Sequence, residues 1–317
     1  MALALTPGFA DSGAASADLG ATASEAVATG LIQTQLPWWG WALLLFGFTA
    51  ALGVVAVIGG VGGGVLFVPI VSAVFPFHFD FVRGAGLMVA LCGALSAAPI
   101  LLKKGLADMR LGWPVALFGA IGGIVGANLG LALPTGIVEA LLGVAIVSIV
   151  VLMLSSRRTD FPGVRRSDPV SAFLGIGSTY FDESLGRAID WKVHRTPVAL
   201  ASYLAIGMIG GMFGLGAGWA NVPALNLLMG APLRVAVGTS GFIMTVNSAS
   251  AVWIYINRGA LLPLIAVPSI AGMMIGTRVG AILLPRIRAR AIRWIVIGLM
   301  GITGLRSLAA GILEMVR

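Results

Sequence analysis

Charge is scarce in this chain. Asp, Glu, Lys and Arg together make up 10% of its 317 residues, against roughly 25% in soluble domains. So few polar groups cannot cover a water-facing surface, and a soluble enzyme is excluded. The single cysteine, Cys92, excludes an intramolecular disulfide. Inside the apolar run 81–102 it reads as a small packing hydrophobe. No zinc-ligand spacing occurs, and neither a metal nor a cofactor is expected. Lysine and arginine are absent from residues 1–36, so this Ala-, Gly- and Ser-rich stretch lacks the positive start of a cleavable signal. It is expected to form a flexible extracytoplasmic arm.

What the chain has in quantity is apolar sequence: 58% of its residues, with a mean hydropathy of +1.02. That is about 184 residues, which at about 20 per helical span limits the chain to about nine crossings. The expected class is an all-α polytopic membrane protein, with the lipid bilayer as its first partner. Basic residues, which give the chain a net charge of +8, fall in loops at the ends of apolar runs. There they report cytoplasmic orientation rather than nucleic-acid binding. Composition leaves a homodimer open.

Sliding the chain by 154 residues aligns 53–129 with 207–283 and gives 18 identities in 77 pairs, where this composition yields about seven by chance, so the halves read as duplicates. Ten identities are Gly or Pro, among them Gly60/Gly214, Gly62/Gly216, Gly64/Gly218 and Pro69/Pro223. The expected layout is an arm over 1–36, a first transmembrane repeat over 37–154, a cytoplasmic linker over 155–197 and a second repeat over 198–317. The linker reads as a tether, with apolar residues between Ala172 and Trp191 able to rest on the membrane face.

Each half carries a glycine cluster, 59–64 or 214–218, followed by about twelve apolar residues. Twelve residues rise about 18 Å, too little for about 30 Å of hydrocarbon, so these segments read as half-helices. Gly60, Pro69, Gly214 and Pro223 mark the structural breaks. Basic loops near Lys103, Arg157–Arg195 and Arg286 all belong inside. That places equivalent loops of the halves on opposite sides and predicts two inverted repeats, each a re-entrant helix pair plus about three full spans. Parallel repeats are the alternative.

A half-helix that begins at a glycine cluster aims unpaired N–H groups and a positive dipole end at the membrane midplane, which makes an anion site. The plainer reading is that these glycines only let helices pack closely. The two Gly-x-Gly-[Gly/Ala]-Gly-x-x-x-x-Pro motifs, together with Gly238-Thr239-Ser240 and Tyr255-Ile256-Asn257-Arg258-Gly259, resemble the sulfite exporter TauE/SafE family, also called the toluene sulfonate uptake permease family. The likeness spans about 38–312. It departs at Ala217, which replaces a glycine of the second cluster, and at Gly84-Ala85-Gly86, where the first half lacks the hydroxyls of Thr239 and Ser240. The resemblance implies a carrier for sulfite, sulfonates or related small anions.

Substrate-binding candidates are Gly62, Gly63, Gly64, Gly216, Ala217, Gly218, Trp219, Asn221, Thr239, Ser240, Asn247 and Arg278. Asn226, Ser248 and Ser250 belong to the same polar group. Asn and Ser can donate to anion oxygens without the cost of a buried charge, although interhelical hydrogen bonding is the ordinary role of each. Arg278 either attracts substrate or snorkels to the interface. His78, Asp80 and Arg83 form either an interfacial loop among aromatics or an outer gate in which His78 and Asp80 carry a coupling proton. Gly238-Thr239-Ser240-Gly241 matches an intramembrane serine-protease motif, but neither His78 nor His194 is placed to complete a dyad.

The expected function is secondary transport of a small sulfur-containing anion (sulfite, sulfoacetate or another organosulfonate) across the inner membrane by alternating access. Export is favoured because the interior-negative potential expels anions. An anion channel and a proton- or sodium-coupled importer of sulfonates or small carboxylates are the alternatives.

Overall fold

Within lipid a backbone must satisfy its own polar groups, so long apolar runs become helices. The computed structural model describes residues 37–59, 62–103, 107–155, 168–182, 187–283 and 289–316. The arm over 1–36 and the break residue Gly60 lie outside the described residues. Eight helices there are long and apolar enough to cross a membrane: α1 (Trp38–Gly59), α3 (Phe79–Lys103), α4 (Met109–Ala132), α5 (Thr135–Ser155), α7 (Thr196–Phe213), α9 (Leu233–Asn257), α10 (Pro263–Leu283) and α11 (Ala289–Val316). Between them lie α2 (Gly63–Val74), α6 (Pro169–Phe173), a hairpin of β1 (Gly177–Asp182) and β2 (Arg187–Lys192), and α8 (Gly218–Pro223), which continues as a π-helical turn over Ala224–Leu228.

The 154-residue offset carries into the helices. Adding it to the bounds of α3 gives those of α9, and the start of α4 maps onto that of α10. The short segments α2 and α8 also correspond. One expectation needs adjustment: the leading member of each re-entrant pair is not a half-helix. α1 has 22 residues and α7 has 18, and 22 residues rise about 33 Å, enough to cross hydrocarbon. Only the second member is short. Pro223 has no N–H to donate to the ladder, and at the next residue the helix widens into its π turn.

Close glycine contacts fix helix directions. Gly119 and Gly123 of α4 meet Gly207 and Gly211 of α7 backbone to backbone, so α4 and α7 run parallel. Gly112, Gly119 and Gly123 meet Phe242, Asn247 and Ala251 in turn, so α9 is parallel to α4 as well. α7 and α9 are consecutive long helices pointing the same way, and α8 carries the chain back between them. α3 and α9 run antiparallel. Gly84 near the start of α3 faces Ala260 just beyond the end of α9, while the N–H of Asp108, beyond the end of α3, donates to Thr239 Oγ1 near the start of α9 (3.0 Å). Exposed Arg110, Lys192, Arg195 and Arg234 share the end where α4, α7 and α9 begin. This is called the basic end below, and the opposite end the far end.

The linker is more than a tether. Ile176, Trp191 and Val193 are buried in one apolar cluster with Leu111 of α4, Val222 and Leu225 of the α8 segment, Met229 and Val235. The N–H of His194 donates to the carbonyl of Met229 (3.0 Å), just past the π turn, and Thr196 Oγ1 donates to Asp168 Oδ1 (2.9 Å). Two hydrophobic residues and an indole bury more readily against protein than against headgroups, and the composition of 155–197 gives no register for that docking.

Candidate functional site

The two glycine breaks come together. Gly62, with φ +86°, caps the start of α2. A Cβ built on it would lie 3.5 Å from the Cα of Gly218 and 3.4 Å from Met244 Sδ. Gly214 and Gly216 have φ of +73° and +65° and turn the chain from α7 into α8. Left-handed backbone at both positions explains why glycine occupies them. The tips meet beside Met244, about midway along the 25 residues of α9. The first N–H groups of a helix have no partner within it, so each tip presents donors at mid-depth.

A crevice at the second tip is lined by Leu87, Gly207, Gly210, Gly211, Gly216, Ala217 and Asn247, with about 160 Å³ of space between atoms, part of it open to the outside. It does not admit a water molecule in this conformation. Its walls are mainly glycine, whose missing side chains let α4 and α7 backbones touch and leave Asn247 as the polar group. Asn247 is 4% exposed, and neither its Oδ1 nor its Nδ2 has a hydrogen-bond partner. Ser248, fully buried next to it, also has an unpartnered hydroxyl, and a Cβ on Gly216 would sit 3.3 Å from that oxygen. Buried amides and hydroxyls in native proteins are nearly always satisfied, so two adjacent orphans at a helix tip mark unmet hydrogen-bonding capacity that a partner would satisfy once the crevice opens.

The other candidates divide. Gly64 packs on the Leu215 carbonyl and Gly63 on Met273. Ala217 caps α8, and the neighbouring Trp219 indole N–H is buried without a partner. Asn221 is committed to structure: its Nδ2 donates to the Ser240 carbonyl (3.2 Å), and its own carbonyl accepts from Tyr203 (3.1 Å), although Oδ1 is unpartnered. Thr239 accepts from Asp108, and Ser240 Oγ donates to Val237 O (2.9 Å) within its own helix. Both lie about two turns toward the basic end from Asn247. Ser250 donates to Asn247 O (2.8 Å) and Ala120 O (3.3 Å). Asn226 donates to Ala231 O (2.9 Å). Pro69 and Pro223 lie inside their short helices. Arg278 is on the exposed face of α10, away from the crevice.

His78, Asp80 and Arg83 do meet, at the far end. Arg83 is 1% exposed. Its guanidinium pairs with Asp80, donates to the carbonyls of Gly130 (3.1 Å) and Met212 (2.8 Å), and lies over the rings of Phe79 and Tyr255. The last turns of α4 and α7 thereby receive a cation at their negative dipole ends. His78 Nδ1 stands 3.9 Å from Asp80 Oδ2, with the imidazole largely exposed.

The model of a family described as sulfite exporter TauE/SafE matches residues 43–307. The chain belongs to this family. It is also 26% identical over 259 residues, covering 79% of its own length and 90% of the relative's, to a "Probable membrane transporter protein YunE" of Bacillus subtilis (strain 168). No solved structure matches. This TauE/SafE protein is therefore a multi-pass membrane protein of a transporter family, and its polar tip lies within the matched span. Sequence reading named Asn247 and Ser248 among several polar residues. The Gly119–Gly123 and Gly207–Gly211 walls went unread, although glycines at three- and four-residue spacing on two helices signal close backbone approach.

Proposed function

We propose that the protein is a secondary carrier of a small sulfur oxyanion, sulfite or an organosulfonate, working by alternating access between two inverted repeats. The observation that carries this reading is the meeting of the α2 and α8 tips beside the unpartnered Asn247 and Ser248. Pyramidal and tetrahedral sulfur oxyanions accept several hydrogen bonds at once, and helix-tip N–H groups with an amide and a hydroxyl supply donors in that number. The antiparallel run of α3 and α9 supports inversion, as does the parallel run of α7 and α9. Three crossings per half plus a re-entrant pair turn the second copy over. The basic end then faces the cytoplasm by the positive-inside rule. Export follows from electrostatics, since moving one negative charge out gains about 2.3 kcal/mol per 100 mV. A crevice too tight for a water molecule in this conformation suits a closed carrier state better than an open filter.

Flux of methanesulfonate and sulfite in proteoliposomes tests the reading. Saturable flux at carrier rates, with exchange, is expected. Conductive flux far above carrier turnover would make the protein a channel, and no flux of either anion would remove the proposal.

A further inference from the structure

The polar groups at the crevice carry no charge. Asn247 and Ser248 donate as neutral groups, and the helix tips contribute partial charges. A cation does stand nearby. Leu87 lines the crevice, and Arg83 lies one turn, about 5.4 Å of helix rise, before it on α3. Arg83 also binds the carbonyl of Met212, next to the lining residue Gly211, and its backbone packs on Gly214, two residues before the lining Gly216. Its charge is matched by the Asp80 carboxylate within the same pair. The buried guanidinium does not line the crevice, so a solute there would feel the field of a neutral ion pair through the intervening backbone rather than that of an unmatched cation.

Building on the carrier reading above, we infer that Asp80 sets the charge of the anion accepted: by neutralising Arg83 beyond the far end of the crevice, it makes the site take a monoanionic sulfur oxyanion, a sulfonate or hydrogensulfite, and reject the dianionic isostere. The cost of stripping water from an ion rises with the square of its charge, so a dianion loses about four times as much hydration energy as a monoanion of its size. Neutral donors recover the cost of one charge. Recovering that of two requires an unmatched cation, and Asp80 withholds it. Arg83 keeps its tie to Gly130 and Met212 in either case, so Asp80 acts on selectivity through Arg83 rather than by touching the solute.

Methanesulfonate and sulfate are the probes, being close in size and shape and different in charge. Binding of each to the full-length protein in detergent, with competition by the other in proteoliposome flux, gives a selectivity ratio. In the wild type methanesulfonate should be favoured at least about tenfold. Asp80→Asn should shrink that ratio about tenfold by strengthening sulfate, with methanesulfonate little changed, and Asp80→Asn combined with Arg83→Gln should restore exclusion of sulfate. A merely structural Asp80 would move both anions together. The inference is overturned if wild-type protein takes sulfate within about twofold of methanesulfonate, or if Asp80→Asn leaves the ratio where it was. If the variants fail to fold, a wild-type ratio within about twofold still overturns the inference. Loss of both anions from wild-type protein would instead sink the carrier reading on which this rests.

Discussion

The two short helices invite comparison because they occupy matched positions 154 residues apart. α2 is a regular helix of 12 residues whose outer end is stopped by an aromatic group: Trp41, Phe75 and Phe77 stand with ring centroids 5.8 Å apart, and Arg306 donates to the carbonyl of Ala73. α8 is α-helical for 6 residues, widens into a π turn, and is stopped at the basic end by the linker, through His194 and the Trp191 cluster. Their tips differ more. The counterparts of Asn247 and Ser248 in the first copy are Gly93 and Ala94, which offer no polar atom. The backbone break stands in both halves, while polar side chains at this position stand in one. On the carrier reading proposed above, the first tip would supply shape and partial charge and the second recognition.

The strongest way to break that division is to fill the tips. Gly62→Leu and Gly216→Leu each place a side chain in left-handed backbone against Met244 or Ala90, and both should abolish anion-induced thermal stabilisation while the protein still inserts. If both variants keep the shift, the tips are not the site. Next in size, Asn247→Leu should weaken methanesulfonate binding by about tenfold to a hundredfold, as expected for one or two buried hydrogen bonds. Its counterpart change, Gly93→Ala, meets Met273 and Thr277 only at ordinary contact distance. It should leave binding intact and raise stability by about 0.5–1 kcal/mol, the usual gain of Ala over Gly in a helix. Equal losses at the two positions would erase the asymmetry.

The ends of the short helices give smaller effects. Trp191→Ala opens the cluster under α8 and should cost about 3 kcal/mol of stability, read as a lowered unfolding temperature and faster proteolysis within the linker. At the linker base, burial raises the Asp168 carboxyl pKa, but hydrogen bonds from Ser171 and Thr196 and from backbone N–H groups outweigh it and leave the pKa below the ordinary value. A depressed carboxylate stabilises the fold above the unfolded-state pKa, and that contribution is lost as pH falls through the folded value. Acid should therefore loosen the linker slightly before the membrane helices, and Asp168→Asn should remove that pH dependence.

How far the sequence foretold this can be seen residue by residue. Glycine positions carry backbone geometry, so the 154-residue offset, the short segments and the turns at Gly62 and Gly214 were legible in the sequence, whereas Pro69, read as a break, lies inside a regular α2. Side-chain partnership was not. Ser240 looked like a ligand and hydrogen-bonds within its own helix, Thr239 is engaged by Asp108, and Arg278 faces outward, because which face of an almost wholly apolar helix turns inward depends on neighbours distant in sequence. Reading α1 and α2 as a re-entrant pair of half-helices missed that α1, with 22 residues, is long enough to cross. Linker docking left no trace in composition, since Ile176, Trp191 and Val193 are too few to show a period.

The central claim is that two helix tips converge at mid-depth on one oxyanion. A structure of the full-length protein in nanodiscs with methanesulfonate, or with a selenium-labelled analogue for unambiguous placement, tests it most directly. The anion should lie between Gly62 and Gly216–Gly218, within hydrogen-bonding distance of Asn247. An anion bound instead on the outer face beside Arg278, or a tip region still closed and empty at saturating anion, would contradict the account.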